Sequence, residues 1–411
     1  MEQIGGLMPA SALEALYEHF CASCQYGSLT VGGLFGQYQR WMGLNNADVA
    51  WLEAVGRAFA AAGGSGSVIL ADVALEAGLR AAGVSVTRAD IQVSSPTLSG
   101  IDPATGYIED PVNSATGNFV LPETDVVFGG PSQGLAISRM YNSTLAAAYD
   151  EPEACGVLGP GWSTILDQRL IVTDEQARWV RDDGREIVFP LTGRNGASGS
   201  PTAEGCHTVE GPWRAAQDNV WISRGDAADL AGVQGATVAG PVWIVADNTG
   251  SRLIFTAEGA WVGSTSGAGD GVWIERHDGV ITSMHSEWGR SVDLFYAQGR
   301  LAKAVASDGR SVSYAYDSQG RLVEVTRPDG VHHYQWDGWL LSQVIDASGV
   351  AQCVNTFDAL GRIRTQRDAT GHLTRFTYLP GGVTVADDGQ GHHSNTWISD
   401  ARGRTVGIID A

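Results

Sequence analysis

Between residue 289 and the end of the chain, apolar and polar side chains alternate in short runs punctuated by glycine at a near-constant interval. Alignment on Gly289, Gly309, Gly330, Gly349, Gly371 and Gly391 gives six units of 20, 21, 19, 22, 20 and 21 residues. Two of them read GRSVDLFYAQGRLAKAVASD and GRSVSYAYDSQGRLVEVTRPD. Each unit alternates, turns at a second glycine, continues in a β-rich run and turns again, which is the pattern of a β-hairpin. In the second unit Val312, Tyr314 and Tyr316 share one face while Ser311, Ser313 and Asp317 share the other, so one face is expected to be buried. A single hairpin has nothing to cover its apolar face, and the period therefore predicts a curved sheet of stacked copies.

Upstream the alternation is less regular. From residue 107 to 288, β-branched and aromatic residues lie between turn pairs such as Asp183-Gly184, Glu258-Gly259 and Asp278-Gly279, predicting an all-β region before the repeats. Stretches rich in Gly and Ser, Gly193 to Gly205 and Gly263 to Gly271, read as exposed loops. Residues 94 to 106, SSPTLSGIDPATG, read as a linker. Residues 1 to 93 hold apolar positions at helical spacing (Val49, Leu52, Val55, Phe59) and a second helical stretch from Asp72 to Ala82, predicting a small α-helical domain. The expected fold is mainly β, in that order: helical domain, linker, all-β domain over 107–288, and six repeats over 289–411.

Composition narrows the function. The formal net charge of -20 sits mostly upstream, since residues 289–411 carry 12 Arg or Lys against 13 Asp or Glu. An acidic surface repels phosphate backbones, so nucleic acid is not an expected partner. The amino terminus lacks the basic start and continuous apolar run of a secretory signal, and no run of 18 apolar residues exists to span a membrane. Export would need a route independent of a signal peptide. Five cysteines (Cys21, Cys24, Cys155, Cys206, Cys353) do not make a disulfide scaffold, which fits synthesis in a reducing compartment.

The repeats carry their own chemistry. An aromatic residue followed by aspartate precedes the turn in Tyr316-Asp317, Trp336-Asp337 and Phe357-Asp358, where the carboxylate can accept hydrogen bonds from turn amides. Gly299-Arg300, Gly320-Arg321, Gly361-Arg362 and Gly403-Arg404 supply a residue tolerant of positive φ and then an arginine able to pair with a neighbouring rung. Units beginning at Gly289, Gly371 and Gly391 lack the aspartate (Tyr296-Ala297, Tyr378-Leu379, Trp397-Ile398) and read as degenerate rungs.

These residues resemble the tyrosine-aspartate repeats of RHS (rearrangement hotspot) proteins, bacterial relatives of the teneurins. A second match lies upstream, in DPVNSATGNFVLPETDVVF, SRMYNS and LGPGWS, whose marked positions are Asp110, Pro111, Asn113, Gly117, Asn118, Tyr141, Asn142, Gly159, Pro160, Gly161 and Trp162. That stretch resembles the opening region of RHS polymorphic toxins, and the two matches together cover roughly residues 102 to 411 in the family's order. The resemblance implies a β ribbon that spirals into a hollow shell around a toxic carboxyl-terminal domain. It further implies amino-terminal parts that plug the shell or connect it to a delivery apparatus, and a product made in the bacterial cytoplasm and exported to the surface or beyond. The chain ends at Ala411 without a core-closing motif or toxin, so it is expected to be a fragment or opening module. Twelve strands at ~4.8 Å give a sheet roughly 58 Å across. A cargo of about 100 residues has a radius of gyration near ~13 Å and needs a wall of roughly 125 Å circumference. Six hairpins alone are too few. Trp41-Met42-Gly43, between two expected helices, faintly resembles the Trp-x-Gly hairpins of type VII secretion substrates, and better fits a tryptophan packed at a helix end.

Catalytic and metal patterns point the same way. Gly130-Pro131-Ser132-Gln133-Gly134 fits a G-x-S-x-G elbow in letters, but the strand-like LAISRMY follows where the elbow needs a helix. Cys21 and Cys24 have no second ligand pair, and neighbouring histidines at His332-His333 and His392-His393 point to opposite faces of a strand. Aspartate turns such as Asp182-Asp183-Gly184 lack calcium-loop spacing. The expected role is non-enzymatic, without cofactor or metal, as part of a shell whose partners are the remaining shell or its toxin. The alternative is an adhesion module binding surface carbohydrate through Trp213, Trp221, Trp261 and Trp273, expected in or near loops.

Overall fold

The computed structural model describes residues 100–410 apart from short internal stretches (102–104, 110, 131–133, 149–154, 192–210, 216–217, 228–237, 268–269, 380 and 390–393). The chain divides into two units, Met1–Arg88 and Ala89–Ala411. The predicted helical domain, Trp41-Met42-Gly43, Cys21, Cys24, Asp110, Ser132 and His392-His393 lie outside the described residues.

Among the described residues nearly everything regular is strand. A first pair, β1 (Tyr107–Ile108) and β2 (Val112–Asn113), is followed by β3 (Val120–Val127), β4 (Ala136–Asn142) and β5 (Trp162–Thr164), which form a three-stranded sheet. One short helix, α1 (Ser143–Ala147), leaves β4, and a 3-10 turn (Ile165–Asp167) leaves β5. A second three-stranded sheet holds β6 (Arg169–Val172), β7 (Gln176–Val180) and β8 (Glu186–Pro190). The remaining nineteen strands, β9 (Trp213–Arg214) to β27 (Thr405–Asp410), make one antiparallel sheet in barrel order, each residue pairing joining strands adjacent in sequence.

The predicted hairpins are present in this sheet. Ser291–Ala297 pairs with Arg300–Ala306, and Ser311–Tyr316 pairs with Leu322–Arg327. A β-bulge sits at the aromatic position of the first four units, for example between Ala315 and Tyr316. The sheet begins further upstream than the repeats: seven strands from Trp213 to Ser286 continue it through residues 288 and 289 without interruption. The sheet is therefore roughly 91 Å wide along its strand order at ~4.8 Å per strand, instead of the 12-strand width expected. Gly263 also departs from expectation. It lies buried inside the strand Trp261–Thr265, and Gly271 is the buried first residue of the strand Gly271–His277, so the loop runs only from Ser266 to Asp270.

One face of the repeat sheet is buried and the other is solvated, as period-2 alternation requires: Val312, Tyr314, Leu322 and Val325 are buried while Ser313 and Ala315 are exposed. What covers the buried face is the pre-repeat sheets. Phe119, Ile137, Tyr141, Leu158, Trp162, Trp179 and Phe189 share a single apolar core with Leu301, Val312, Tyr314, Leu341, Ile363 and Phe376. No helix among the described residues is long and apolar enough to cross a membrane.

Candidate functional site: the seam between the pre-repeat sheets and the repeats

The aromatic-aspartate step has two separable jobs. Tyr316 Oη donates to the carbonyl of Leu301 in the preceding hairpin (2.7 Å), Trp336 Nε1 to Leu322 (2.8 Å) and Tyr378 Oη to Ile363 (2.7 Å). Tyr378 makes this bond without a following aspartate, so its unit keeps half of the device. Phe357 has no polar atom to offer; in the hairpin before it, the Leu341 N–H donates instead to Tyr141 Oη of β4, at 2.9 Å. Tyr316→Phe is expected to lower stability by about 1 kcal/mol, because a largely buried carbonyl loses one partner. Urea denaturation checks this, with no change in midpoint as the contrary result.

The aspartate organises its own turn. Asp317 Oδ1 accepts from the amides of Gln319 (2.9 Å) and Arg321 (3.0 Å), and Oδ2 pairs with Arg321 Nε and Nη2, both at 2.7 Å. Burial works against this carboxylate's charge, yet the bonds from Arg321 and Gln319 outweigh it and hold the pKa below the usual value. Asp358 with Leu360 and Arg362, and Asp400 with Arg402 and Arg404, repeat the arrangement. Of the arginines expected to pair with a neighbouring rung, Arg321, Arg362 and Arg404 each pair with the aspartate four residues before them, and Arg321 also makes the expected contact, reaching Gly338 O in the next turn (2.7 Å). Asp337 stands exposed before a two-residue turn, too short for such a loop.

The upstream signature forms the docking surface. Asn113 Oδ1 accepts from the amides of Ala115 and Thr116, closing a tight turn beside Pro111, whose carbonyl accepts from Val120. Gly117 (φ +72°) lies so close to Tyr378 that a Cβ there would sit 2.6 Å from the ring, and its carbonyl accepts from Ile363 N at 3.0 Å. Asn118 and Asn142, both fully buried, bond each other at 3.0 Å; Asn118 Oδ1 also receives the Thr144 amide at the start of α1. In LGPGWS, Gly159 approaches Gly320 O, while Gly161 lies against the Tyr141 ring after Pro160. Leu301 N donates to Val157 O (3.0 Å) and Arg300 holds the carbonyls of Cys155 and Gly156. Gly403 and Arg404 lie at the last turn, away from these contacts.

Residues that sequence reasoning did not single out complete the seam. Arg139 of β4, with no exposed side-chain surface, donates Nε to Asp125 Oδ2 (2.8 Å) and Nη2 to Tyr334 Oη (2.7 Å), and its guanidinium lies 4.5 Å over the Trp162 ring. Tyr314 Oη donates to the same Asp125 oxygen (2.9 Å). Burial alone would lower the Arg139 pKa, but Asp125, Tyr334 and Glu123 raise it above the ordinary value; Tyr334 itself is pushed by burial up to about 12. Three arginines at successive hairpin turns then cap the free edge of β3 and the residues after it: Arg290 to Gly129 O (3.2 Å), Arg310 to Val127 O (2.9 Å) and Arg327 to Glu123 (2.7 Å). Phe128 lies between Arg290 and Arg310, at 5.1 and 5.2 Å. The sequence signal was present as opposite charges, Asp125 and Arg139, on the two consecutive strand-like runs VLPETDVV and AISRMYN.

Asp167 is the seam's titrating carboxyl. It accepts amides from Val157 and Thr164, both at 3.0 Å, and burial pushes its pKa up to about 6 against the opposing pull of those bonds, Arg169 and Arg300. A raised carboxyl pKa means the fold prefers the protonated form, so this group's contribution is largest below the unfolded value and declines as pH rises through about 6. Relative to Asp167→Asn, wild type is therefore expected to lose up to about 3 kcal/mol between acid and neutral pH. Parallel denaturation curves of the two proteins across that range provide the check.

The other candidate chemistry is placed elsewhere. The Ser132 stretch connects β3 to β4, two antiparallel strands, and a strand leaves where a nucleophile elbow needs a helix. The four tryptophans proposed for sugar stacking all lie in strands, Trp213 and Trp261 as the first residue, Trp221 as the second and Trp273 as the third. Trp261 is fully buried with Nε1 on Gly263 O (2.9 Å), and Trp213 and Trp273 lean on Trp243 and His285. His332 faces inward and is 8% exposed, whereas His333 pairs outside with Glu324 at 3.6 Å.

Comparison with known proteins matches a domain of unknown function (DUF6531) to residues 109–189 and the RHS repeat to residues 295–332. The tRNA nuclease WapA of Bacillus subtilis (strain 168) is 25% identical over 291 residues, covering 68% of this chain and 12% of that protein. The chain thus spans about an eighth of that relative's length. Among solved structures, the Photorhabdus luminescens Tc holotoxin pore aligns with a TM-score of 0.24 at 14% identity, over 58% of this chain and 11% of that one. A TcdB2-TccC3 structure aligns with a TM-score of 0.23 at 12% identity, over 70% and 15%.

Proposed function

We propose that this chain, a member of the RHS/YD-repeat family, is a structural segment of a toxin-carrying protein, forming the plugged opening of a β shell that encloses or delivers a toxic domain. The observation that carries the reading is the seam. The polar residues that recur in the repeats and in the upstream signature bond to each other or to backbone, which supports a scaffold role without catalysis. The pre-repeat sheets fill the inner face of the strands they touch, so cargo would lie beyond them. Its partners would be the rest of the shell, the toxin and a delivery apparatus.

The test is the intact mass of the product immunopurified from its native source, with any chain that copurifies. A polypeptide several times larger than 43.3 kDa, or a 43.3 kDa chain bound to a toxic domain, is the expected result. A free 43.3 kDa product without a bound toxin would remove the proposal.

A further inference from the structure

We propose that a buried water molecule ties the β1–β2 segment to the last hairpin, at the place where other rungs carry an aromatic ring. The last hairpin, Ser394–Ser399 with Thr405–Asp410, repeats the backbone of the earlier ones but not their inner side chains. In the second unit a bulge between Ala315 and Tyr316 sets Tyr316 opposite Leu322, just before the turn aspartate Asp317. In the last unit a bulge between Ile398 and Ser399 sets Ser399 opposite Thr405, just before Asp400, which accepts the corresponding two turn amides. Ser399, and not Trp397, therefore holds the aromatic's position. A small polar pair stands where Tyr316 and Leu322, or Phe357 and Ile363, stand in other rungs.

This pair meets the opening segment of the described chain. Thr405 Oγ1 accepts from the Gly106 amide at 2.9 Å. A Cβ on Gly106 would lie 2.7 Å from Thr405 Oγ1 and 3.0 Å from Ser114 Oγ, so both hydroxyls crowd one point. Ser399 stands directly opposite Thr405, where Cβ atoms are roughly 5 Å apart. Ser114 and Ser399 have no exposed surface, and neither hydroxyl bonds to any group of the protein; Thr105 Oγ1, one residue before Gly106, is likewise buried and unbonded. Tyr316 reaches the preceding hairpin with its own Oη, at 2.7 Å, and a serine at that position is too short to do so. The charges of the adjoining turn are engaged with each other, Arg404 with Asp400. Uncharged hydroxyls suit a water, which takes roughly two to four polar partners, better than an ion. One water donating to or accepting from both serines removes the cost of leaving them unbonded.

A high-resolution crystal structure of the full chain is expected to show an ordered water about 2.7–3.2 Å from both Ser114 Oγ and Ser399 Oγ. A direct bond between the two hydroxyls, or no water shared by them, overturns the proposal. In solution, urea titrations of Ser114→Ala, Ser399→Ala and the double variant separate a shared water from two independent hydroxyls. Each single change is expected to lower the folding constant roughly fivefold, and the double change by little more than either alone. Removing an idle hydroxyl would instead leave stability unchanged or raise it. Unchanged or higher stability in either single variant, or losses that multiply in the double variant, overturns the shared water.

Discussion

Replacing Arg139 by methionine is expected to cost about 3–5 kcal/mol, the largest single effect in this molecule, because it strands the Asp125 carboxylate in a site with no exposed surface. Arg139 provides Asp125 with its 2.8 Å partner and at the same time supplies the donor to Tyr334 and the cation over Trp162. Methionine fills much of the volume, so the loss reports the charge and its bonds rather than a cavity. The second variant discriminates. Adding Asp125→Leu to Arg139→Met is expected to restore a large part of the stability, since an apolar pair of similar volume removes the uncompensated charge. Guanidinium titration of the three proteins measures this, and a loss under about 1 kcal/mol in the single variant would contradict the burial argument.

Alanine at Gly361 is expected to be far more damaging than alanine at Gly309. Both glycines have positive φ, +75° and +89°, so both substitutions carry a conformational cost of about 1–2 kcal/mol. Only one has neighbours. A Cβ on Gly361 would stand 2.5 Å from the Ala147 Cβ and 2.7 Å from Ser143 O, whereas Gly309 has open space. Forcing α1 away adds about 1–3 kcal/mol for overpacking. Gly259 is a further case, with Leu170 O at 2.0 Å from the added atom. Thermal or chemical denaturation of the alanine series checks the ranking, and equal losses at Gly309 and Gly361 would refute the claim that the turn is a docking point.

Much of the repeat architecture was legible because period-2 alternation and turn glycines are local signals. Val312 and Tyr314 pointed inward on pattern alone, and the hairpin register follows from the turns. The upstream extent of the sheet was not legible. Strands such as Pro241–Asp247 hold buried residues on both faces, Trp243 against the main core and Val242 against Ile254 and Val262, which erases the alternation. The seam was hidden for another reason. Gly117, Gly159 and Gly361 are ordinary turn residues by type, and their meaning lies in partners 100 or more residues away, which no local pattern records. The arginines show the same limit: Arg321 and Arg310 both pair with an aspartate of their own turn, yet Arg310 also reaches Val127 in another sheet.

The three arginines along β3 make that strand a ruler laid across the array. Consecutive clasps fall on Gly129, Val127 and Glu123, and they come from turns that follow one another hairpin by hairpin. Inserting or deleting a hairpin before Arg327 would leave a notch unfilled or a clasp without its mark. Copy number should therefore be fixed in this portion of related arrays.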